Sequence, residues 1–173
     1  LTGSEYYIDG DRMEEYLGEL QEVLREYDAF TVGESVFITV DKALRYTSED
    51  NEYLTTVFSF DHVSADNRFG IKQLPKKFNL LDLKRALTRW QNGLYGKSWN
   101  TLFWENHDSA RIVGRYVSDR VNREEGAKML ATVLLTLSGT PFIYQGQEFG
   151  TISARMTDIA DYKDVDALRS YAL

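Results

Sequence analysis

The sequence contains no cysteine, and it has only two prolines and two histidines among its 173 residues. The absence of cysteine excludes disulfide frameworks, thiol nucleophiles and cysteine metal sites. The two histidines, His62 and His107, lie in different segments, which argues against a histidine-rich metal centre. No glycine loop of the kind that cradles phosphates is present. We therefore expect no cofactor and no metal site, and the lack of cysteine suits a cytoplasmic location.

Long apolar runs and an excess of basic residues are also missing. No run approaches the roughly 20 apolar residues that span a bilayer. The 20 Lys and Arg against 27 Asp and Glu give a net charge of −7, whereas a nucleic-acid surface needs a basic stripe. We expect neither a membrane nor a nucleic acid as a partner. With 43% hydrophobic residues, the chain can bury a core, and we predict one domain over residues 1–173.

The spacing of apolar residues predicts alternating helices and strands. Met13, Leu17, Leu20, Leu24 and Tyr27 mark one face of a helix over 11–27. Further helices are predicted at 41–46, at 80–93, after Asn122 and at 163–171, with strands at 29–33, 53–60, 101–104 and 141–144. This alternation is typical of parallel strands with helical crossovers, so the predicted class is α/β, either a barrel or a doubly wound sheet.

The longest predicted loops all follow strands, at 61–78, 106–121 and 145–162. Loops of this length in a compact domain are usually functional. Both parallel α/β architectures place their sites at the carboxyl ends of the strands. We expect the functional site at that edge.

Two carboxylates stand at predicted strand ends, Glu34 after residues 31–33 and Asp108 in an Asn-His-Asp triplet. Paired acids at one edge suit glycoside hydrolysis, in which one carboxyl protonates the leaving oxygen. His107 adds a donor for sugar hydroxyls and Arg111 adds a cation. The alternatives are that Glu34 is a solvated strand-end acid and that the triplet is a turn cap.

Other polar and aromatic residues have simpler interpretations. We expect His62 at the surface and Glu105 satisfied structurally at the end of its strand. Lys76 and Lys77 suit either an anionic substrate or a solvated loop. Two tryptophans are expected in the core, Trp90 and Trp99.

Three segments together resemble the α-amylase family of glycoside hydrolases, above all its oligo-1,6-glucosidase branch. They are residues 30–34 (FTVGE), 102–108 (LFWENHD) and 139–148 (GTPFIYQGQE). The resemblance extends over nearly the whole chain. It implies a (β/α)₈ TIM barrel and retaining hydrolysis of α-glucosidic bonds, with short α-1,6-linked gluco-oligosaccharides as the substrate.

The resemblance also implies residue roles. Glu34 matches the general acid/base at the end of strand five, and Asp108 matches the transition-state stabiliser at the end of strand seven. His107 matches the histidine that binds the same sugar. Arg111 and Phe60 stand where the family has substrate-pocket residues.

The chain departs from the family pattern in three ways. Ser109 and Ala110 stand where close relatives have Gln-Pro, and Gln147-Glu148 where many relatives carry two glutamates. The family nucleophile, an aspartate at the end of strand four, precedes the matched region. We therefore expect the chain to be a barrel fragment covering approximately strands five to eight with their helices.

Such a fragment has predicted consequences. We expect it to be inactive alone, with any calcium site confined to the missing half. Its open barrel edges are expected to promote self-association. The alternatives for the parent protein are a trehalose-6-phosphate hydrolase and a non-catalytic amylase-like interaction domain.

Overall fold

The computed structural model describes residue 6 and residues 8–69, 71–118 and 120–172. The chain divides into two compact units. The first comprises Leu1–His62, Leu81–Leu102 and Leu137–Pro141, and the second comprises Val63–Leu80, Phe103–Thr136 and Phe142–Leu173.

Helices and strands are interleaved along the described residues, which confirms the α/β prediction. The helices are α1 Met13–Glu26, α2 Val40–Thr47, α3 Leu80–Leu94, α4 Ile112–Tyr116, α5 Arg123–Thr136 and α6 Val165–Tyr171. The strands are β1 Val32–Glu34, β2 Thr56–Phe58, β3 Asn67–Arg68, β4 Ile71–Pro75, β5 Thr101–Phe103 and β6 Thr140–Phe142. All predicted helices are present, whereas the predicted strands are shorter than expected.

Two features of the structure lie in segments that were predicted as loops. β3 and β4 form an antiparallel hairpin within 61–78, and α4 lies within 106–121. The hairpin has no alternating apolar pattern, and its register shifts between Asn67 and Arg68. α4 has five residues and buries Ile112, Val113 and Tyr116, which is too short for a helical period to stand out.

The core of the first unit forms where α2, β2 and α3 meet. It contains Ile38, Ala43, Tyr46, Val57, Trp90 and Leu94. The Thr39 side chain caps α2 by accepting a hydrogen bond from the Lys42 N–H at 3.3 Å. The Trp90 indole donates to Asp61 Oδ2 at 2.7 Å. Trp90 is therefore a core residue, as predicted, whereas Trp99 is 52% exposed.

Short strands are joined by both ladder and side-chain hydrogen bonds. β1 and β2 are parallel, with Gly33 opposite Val57, and β5 and β6 form another two-stranded sheet. Thr56 Oγ1 donates to the Trp99 carbonyl and Thr101 Oγ1 to the Val57 carbonyl, each at 2.8 Å. Both threonines are almost fully buried, so these bonds link the segment around β2 to the start of β5.

In the second unit, Trp104 and Tyr116 connect β5, α4 and α5. The Trp104 indole donates to the Leu130 carbonyl at 2.8 Å, and its ring meets Tyr116 edge-on at 6.2 Å. Phe78 stacks on the Tyr116 ring, with the two ring centroids 4.4 Å apart. Burial raises the pKa of the Tyr116 phenol, with a smaller opposing effect from Arg115, so the ring stays neutral.

Gly139 lies at the entry to β6, where the chain passes very close to a neighbouring carbonyl. Its φ is 144°, and an added Cβ would lie 2.6 Å from the Asn100 carbonyl oxygen and 3.1 Å from Leu102 Cγ. The sequence predicts a helix stop here, but α5 already ends at Thr136. Close approach of two backbones is therefore what requires glycine.

We predict that Gly139→Ala destabilises the fold by about 2–4 kcal/mol, because it combines backbone strain with a clash against main-chain atoms. Urea denaturation followed by circular dichroism measures the change. Gly10→Ala is the matched control, since its Cβ would meet nothing within 4 Å. Equal stability of the two variants would contradict this account of Gly139.

Candidate active site

Glu34 is the last residue of β1 and is exposed. Gly33 precedes it, and a Cβ there would lie 2.7 Å from Leu54 Cδ1, so glycine lets β1 pack closely at this point. Glu34 pairs in register with Phe58 on β2. Phe60 follows two residues later and is half-buried. Because β1 and β2 are parallel, Glu34 and Phe60 both lie at the carboxyl-terminal end of these strands.

His107 and Asp108 lie on an exposed turn that follows β5. The Asn106 side-chain oxygen accepts a hydrogen bond from the Asp108 N–H at 3.1 Å, which is an Asx turn. His107 Nε2 is 3.5 Å from Asp108 Oδ2, and the two side chains are 73% and 54% exposed. The triplet thus forms a turn cap, the alternative that the sequence left open, and the cap presents a carboxylate and an imidazole to solvent.

Glu105 is buried at the base of this turn. Its side chain is 1% exposed. Oε1 accepts the Ile112 N–H at 3.0 Å, and Oε2 accepts Arg111 Nη1 at 2.8 Å. The prediction that Glu105 is satisfied structurally is confirmed.

Arg111 contacts several protein groups besides Glu105. Nη1 also donates to the Gln145 carbonyl at 2.8 Å, and the guanidinium lies 4.9 Å from the centre of the Tyr144 ring. The Arg111 N–H donates to Ser153 Oγ at 2.9 Å. The side chain is only 19% exposed. These partners lie 33 to 42 positions along the chain, and no sequence signal pointed to them.

The structure corrects one further expectation and locates the paired lysines. His62 is not a surface residue, since it is 6% exposed. Lys76 is half-buried and its N–H donates to the Asp66 carbonyl at 2.7 Å, whereas Lys77 is exposed. Asp66 also accepts Arg115 Nε at 3.0 Å.

The candidate residues fall into two groups. Glu34 and Phe60 belong to the first unit, and His107, Asp108 and Arg111 belong to the second. The groups offer exposed carboxylates and an imidazole, which can exchange protons and hydrogen-bond to hydroxyls. No cluster of three or more metal-ligating side chains occurs in the part of the chain that the structure describes.

A cleft of about 660 Å³ lies in the first unit at the opposite end of the strands from Glu34. Its lining includes Ala29 and Thr31, which precede β1, and Leu54 and Thr55, which precede β2. The cleft is therefore separate from the Glu34 edge.

Comparison with known proteins identifies the family of this chain. Residues 2–171 match the family described as alpha amylase, catalytic domain. The chain belongs to the α-amylase family. The catalytic domain of this family is a TIM barrel, so the resemblance noted in the sequence is confirmed.

Several members of the α-amylase family are similar to this chain. A trehalose-6-phosphate hydrolase of Bacillus subtilis is 46% identical over 171 residues, which are 98% of this chain and 30% of that protein. An oligo-1,6-glucosidase of Halalkalibacterium halodurans is 45% identical over 172 residues, 99% of this chain and 31% of that protein. The crystal structure of the Bacillus licheniformis trehalose-6-phosphate hydrolase matches with a TM-score of 0.90 and 44% identity, covering 98% of this chain and 31% of that chain.

The chain thus spans about 30% of the length of these relatives. Among the described residues, no helix combines the length and apolar character that crossing a membrane requires.

Proposed function

We propose that the parent protein of this chain is a retaining α-glucosidase that hydrolyses short α-1,6-linked gluco-oligosaccharides. The observation that carries the proposal is the presentation of Glu34 at the end of β1 and of Asp108 with His107 on the turn after β5. The 45% identity to an oligo-1,6-glucosidase supports it. A cytoplasmic location remains a prediction.

In the proposed mechanism, the Glu34 carboxyl donates its proton to the glycosidic oxygen as the bond to the anomeric carbon breaks. An aspartate outside this chain attacks that carbon and forms a glycosyl-enzyme. Glu34, now ionised, takes a proton from water, whose oxygen displaces the aspartate and releases the sugar with its original anomeric configuration. Asp108 stabilises the positive charge on the sugar ring, and His107 donates a hydrogen bond to a ring hydroxyl. Phe60 is proposed as a substrate-pocket residue.

We further propose that the chain is the part of the barrel that starts at strand five. The order of the motifs supports this placement, since the strand ending in Glu34 comes first and the strand before Asn106-His107-Asp108 comes third among β1, β2, β5 and β6. In this arrangement the nucleophile lies before residue 1, and the isolated chain has no hydrolytic activity.

We predict that Glu34→Gln in the full-length protein lowers turnover of isomaltose by about 10²–10⁴-fold, because the amide cannot donate the proton. Aryl glucosides with good leaving groups should lose much less in the glycosylation step, since their leaving groups hardly need protonation. Pre-steady-state kinetics on both substrates measures the difference.

Glu22→Gln is the matched control, because Glu22 is an exposed glutamate on α1 of the same unit. It should leave both rates unchanged. Equal losses on the two substrates in Glu34→Gln would contradict the acid assignment. A full-length wild-type protein that hydrolyses no glucoside would instead favour the interaction-domain alternative.

We predict that the isolated chain self-associates and that the rest of the parent protein dissociates the oligomer and restores hydrolysis. β1 pairs only with β2, and β6 only with β5, among the described residues, so each leaves an edge that another chain can cover. Light scattering of the chain, with and without the separately expressed remainder, tests this. A clean monomer at high concentration would rule out self-association, and activity of the chain alone would rule out the placement.

The second candidate is a trehalose-6-phosphate hydrolase, which the 46% identity to such an enzyme favours. Lys76 and Lys77 follow β4 and are the side chains proposed to bind the phosphate. In the full-length protein, Lys76→Ala/Lys77→Ala should then raise KM for trehalose-6-phosphate by roughly tenfold or more, as loss of a charge-assisted hydrogen bond implies. KM for isomaltose should not change.

Lys72→Ala is the control for this experiment, because Lys72 is an exposed lysine on β4 of the same hairpin. An equal rise in KM for both sugars, or the same rise in the control, would show that these lysines do not recognise phosphate.

A further inference from the structure

Glu105 and Arg111 close the base of the turn that carries His107 and Asp108. The Glu105 carboxylate binds the Arg111 guanidinium through one oxygen and the Ile112 N–H through the other. Residues 106–110 are therefore held between two points that are bonded to each other. The tip of the turn is exposed, but its base is buried.

Arg111 also binds the loop that follows β6. The Gln145 carbonyl accepts from the same guanidinium nitrogen as Glu105, and the guanidinium lies over the Tyr144 ring. A Cβ on Gly146 would lie 3.3 Å from Arg111 Nη2, so glycine leaves room for this side chain. The backbone N–H of Arg111 donates to Ser153 Oγ, further along the same loop. One residue thus joins two loops within the second unit.

A buried ion pair is weak evidence for stability, because desolvating both charges costs much of what their attraction returns. What the pair adds here is geometry. The planar guanidinium donates in fixed directions, and its contacts lie on two segments, Glu105 on one side and Tyr144 with Gln145 on the other. Apolar side chains of similar volume would fill the space without fixing the turn.

We propose that Glu105 and Arg111 are positioning residues for the sugar-binding turn, which they hold at a set distance from the loop after β6. This inference rests on the proposed function and assigns Arg111 to the protein side of the site rather than to the substrate. Asp108 and His107 then meet the substrate in an orientation fixed before binding.

The test uses the full-length protein with Arg111→Lys and Glu105→Gln. Lysine keeps the charge but has no planar fork, so it cannot bind Glu105 and Gln145 and stack on Tyr144 together. We expect kcat/KM for isomaltose to fall by about 10²-fold, as small misplacements of reacting groups do. Hydrogen exchange at residues 106–110 and 145–153 should accelerate at least tenfold in both variants, measured by mass spectrometry at a temperature where each is folded.

Arg115→Lys is the matched control. Arg115 lies in α4 of the same unit, pairs with Asp66 at 2.5 Å and is 15% exposed. Its side-chain hydrogen bonds go to residues 63–66, and its guanidinium lies over the neighbouring Tyr116 ring. It should lower the melting temperature without the loss of kcat/KM or faster exchange in the two loops. Activity losses in proportion to melting temperature in all three variants would overturn the positioning role, as would unchanged exchange in Arg111→Lys and Glu105→Gln.

The exchange measurement separates this inference from the proposed function. Faster exchange in both loops supports the positioning pair even in a protein that hydrolyses no glucoside. Unchanged exchange in an active protein rejects the pair and leaves the function standing.

Discussion

Two buried threonine hydroxyls set the spacing of the short strands in the first unit. β1, β2 and β5 have three residues each, so their ladders supply few hydrogen bonds. Thr56 and Thr101 are almost fully buried, and each donates to a main-chain carbonyl of the neighbouring segment. A buried hydroxyl without an acceptor costs about 1–3 kcal/mol. These bonds therefore resist any slip of β2 against β5. Because β1 pairs with β2, they also help to hold the carboxyl-terminal end of β1, where Glu34 lies.

In the second unit, ion pairs rather than hydroxyl groups hold the long loops in place. Arg111 precedes the first residue of α4, and Arg115 lies one helical turn later within it. Each guanidinium donates to a carboxylate and to a main-chain carbonyl. The Gln145 and Val63 carbonyls lie 34 and 52 positions from the arginines that bind them, whereas Glu105 lies only six positions from Arg111. Loops that carry polar functional groups cannot be fixed by an apolar core of their own, since the groups must stay in water. Buried ion pairs at the base of each loop resolve this conflict.

Sequence patterns predicted the helices and the strand-end position of Glu34, His107 and Asp108, because both follow from local rules. Amphipathic spacing identified α1, α3 and α5, and parallel strands present their carboxyl ends at one edge. The strand lengths were overestimated, because apolar residues before β1 and β2 continue the pattern without pairing. The distant partners of Arg111 were not predicted, since a hydrogen bond to the Gln145 carbonyl or a contact with the Tyr144 ring, more than 30 positions away, leaves no periodic pattern in the sequence. His62 was wrongly predicted at the surface, because nothing in the sequence distinguishes a buried polar residue of a loop from an exposed one.

The β3–β4 hairpin has a consequence for how this protein family can change. Its base is closed within the second unit, where the Lys76 N–H and the Arg115 side chain both bind Asp66. Insertions or deletions at the hairpin tip therefore alter the hairpin and leave its closed base in place. A point substitution must fit the existing backbone of the hairpin, whereas an insertion or deletion changes that backbone. A change in length at this tip is thus confined to a segment that pairs with itself, and it leaves the other strands in place.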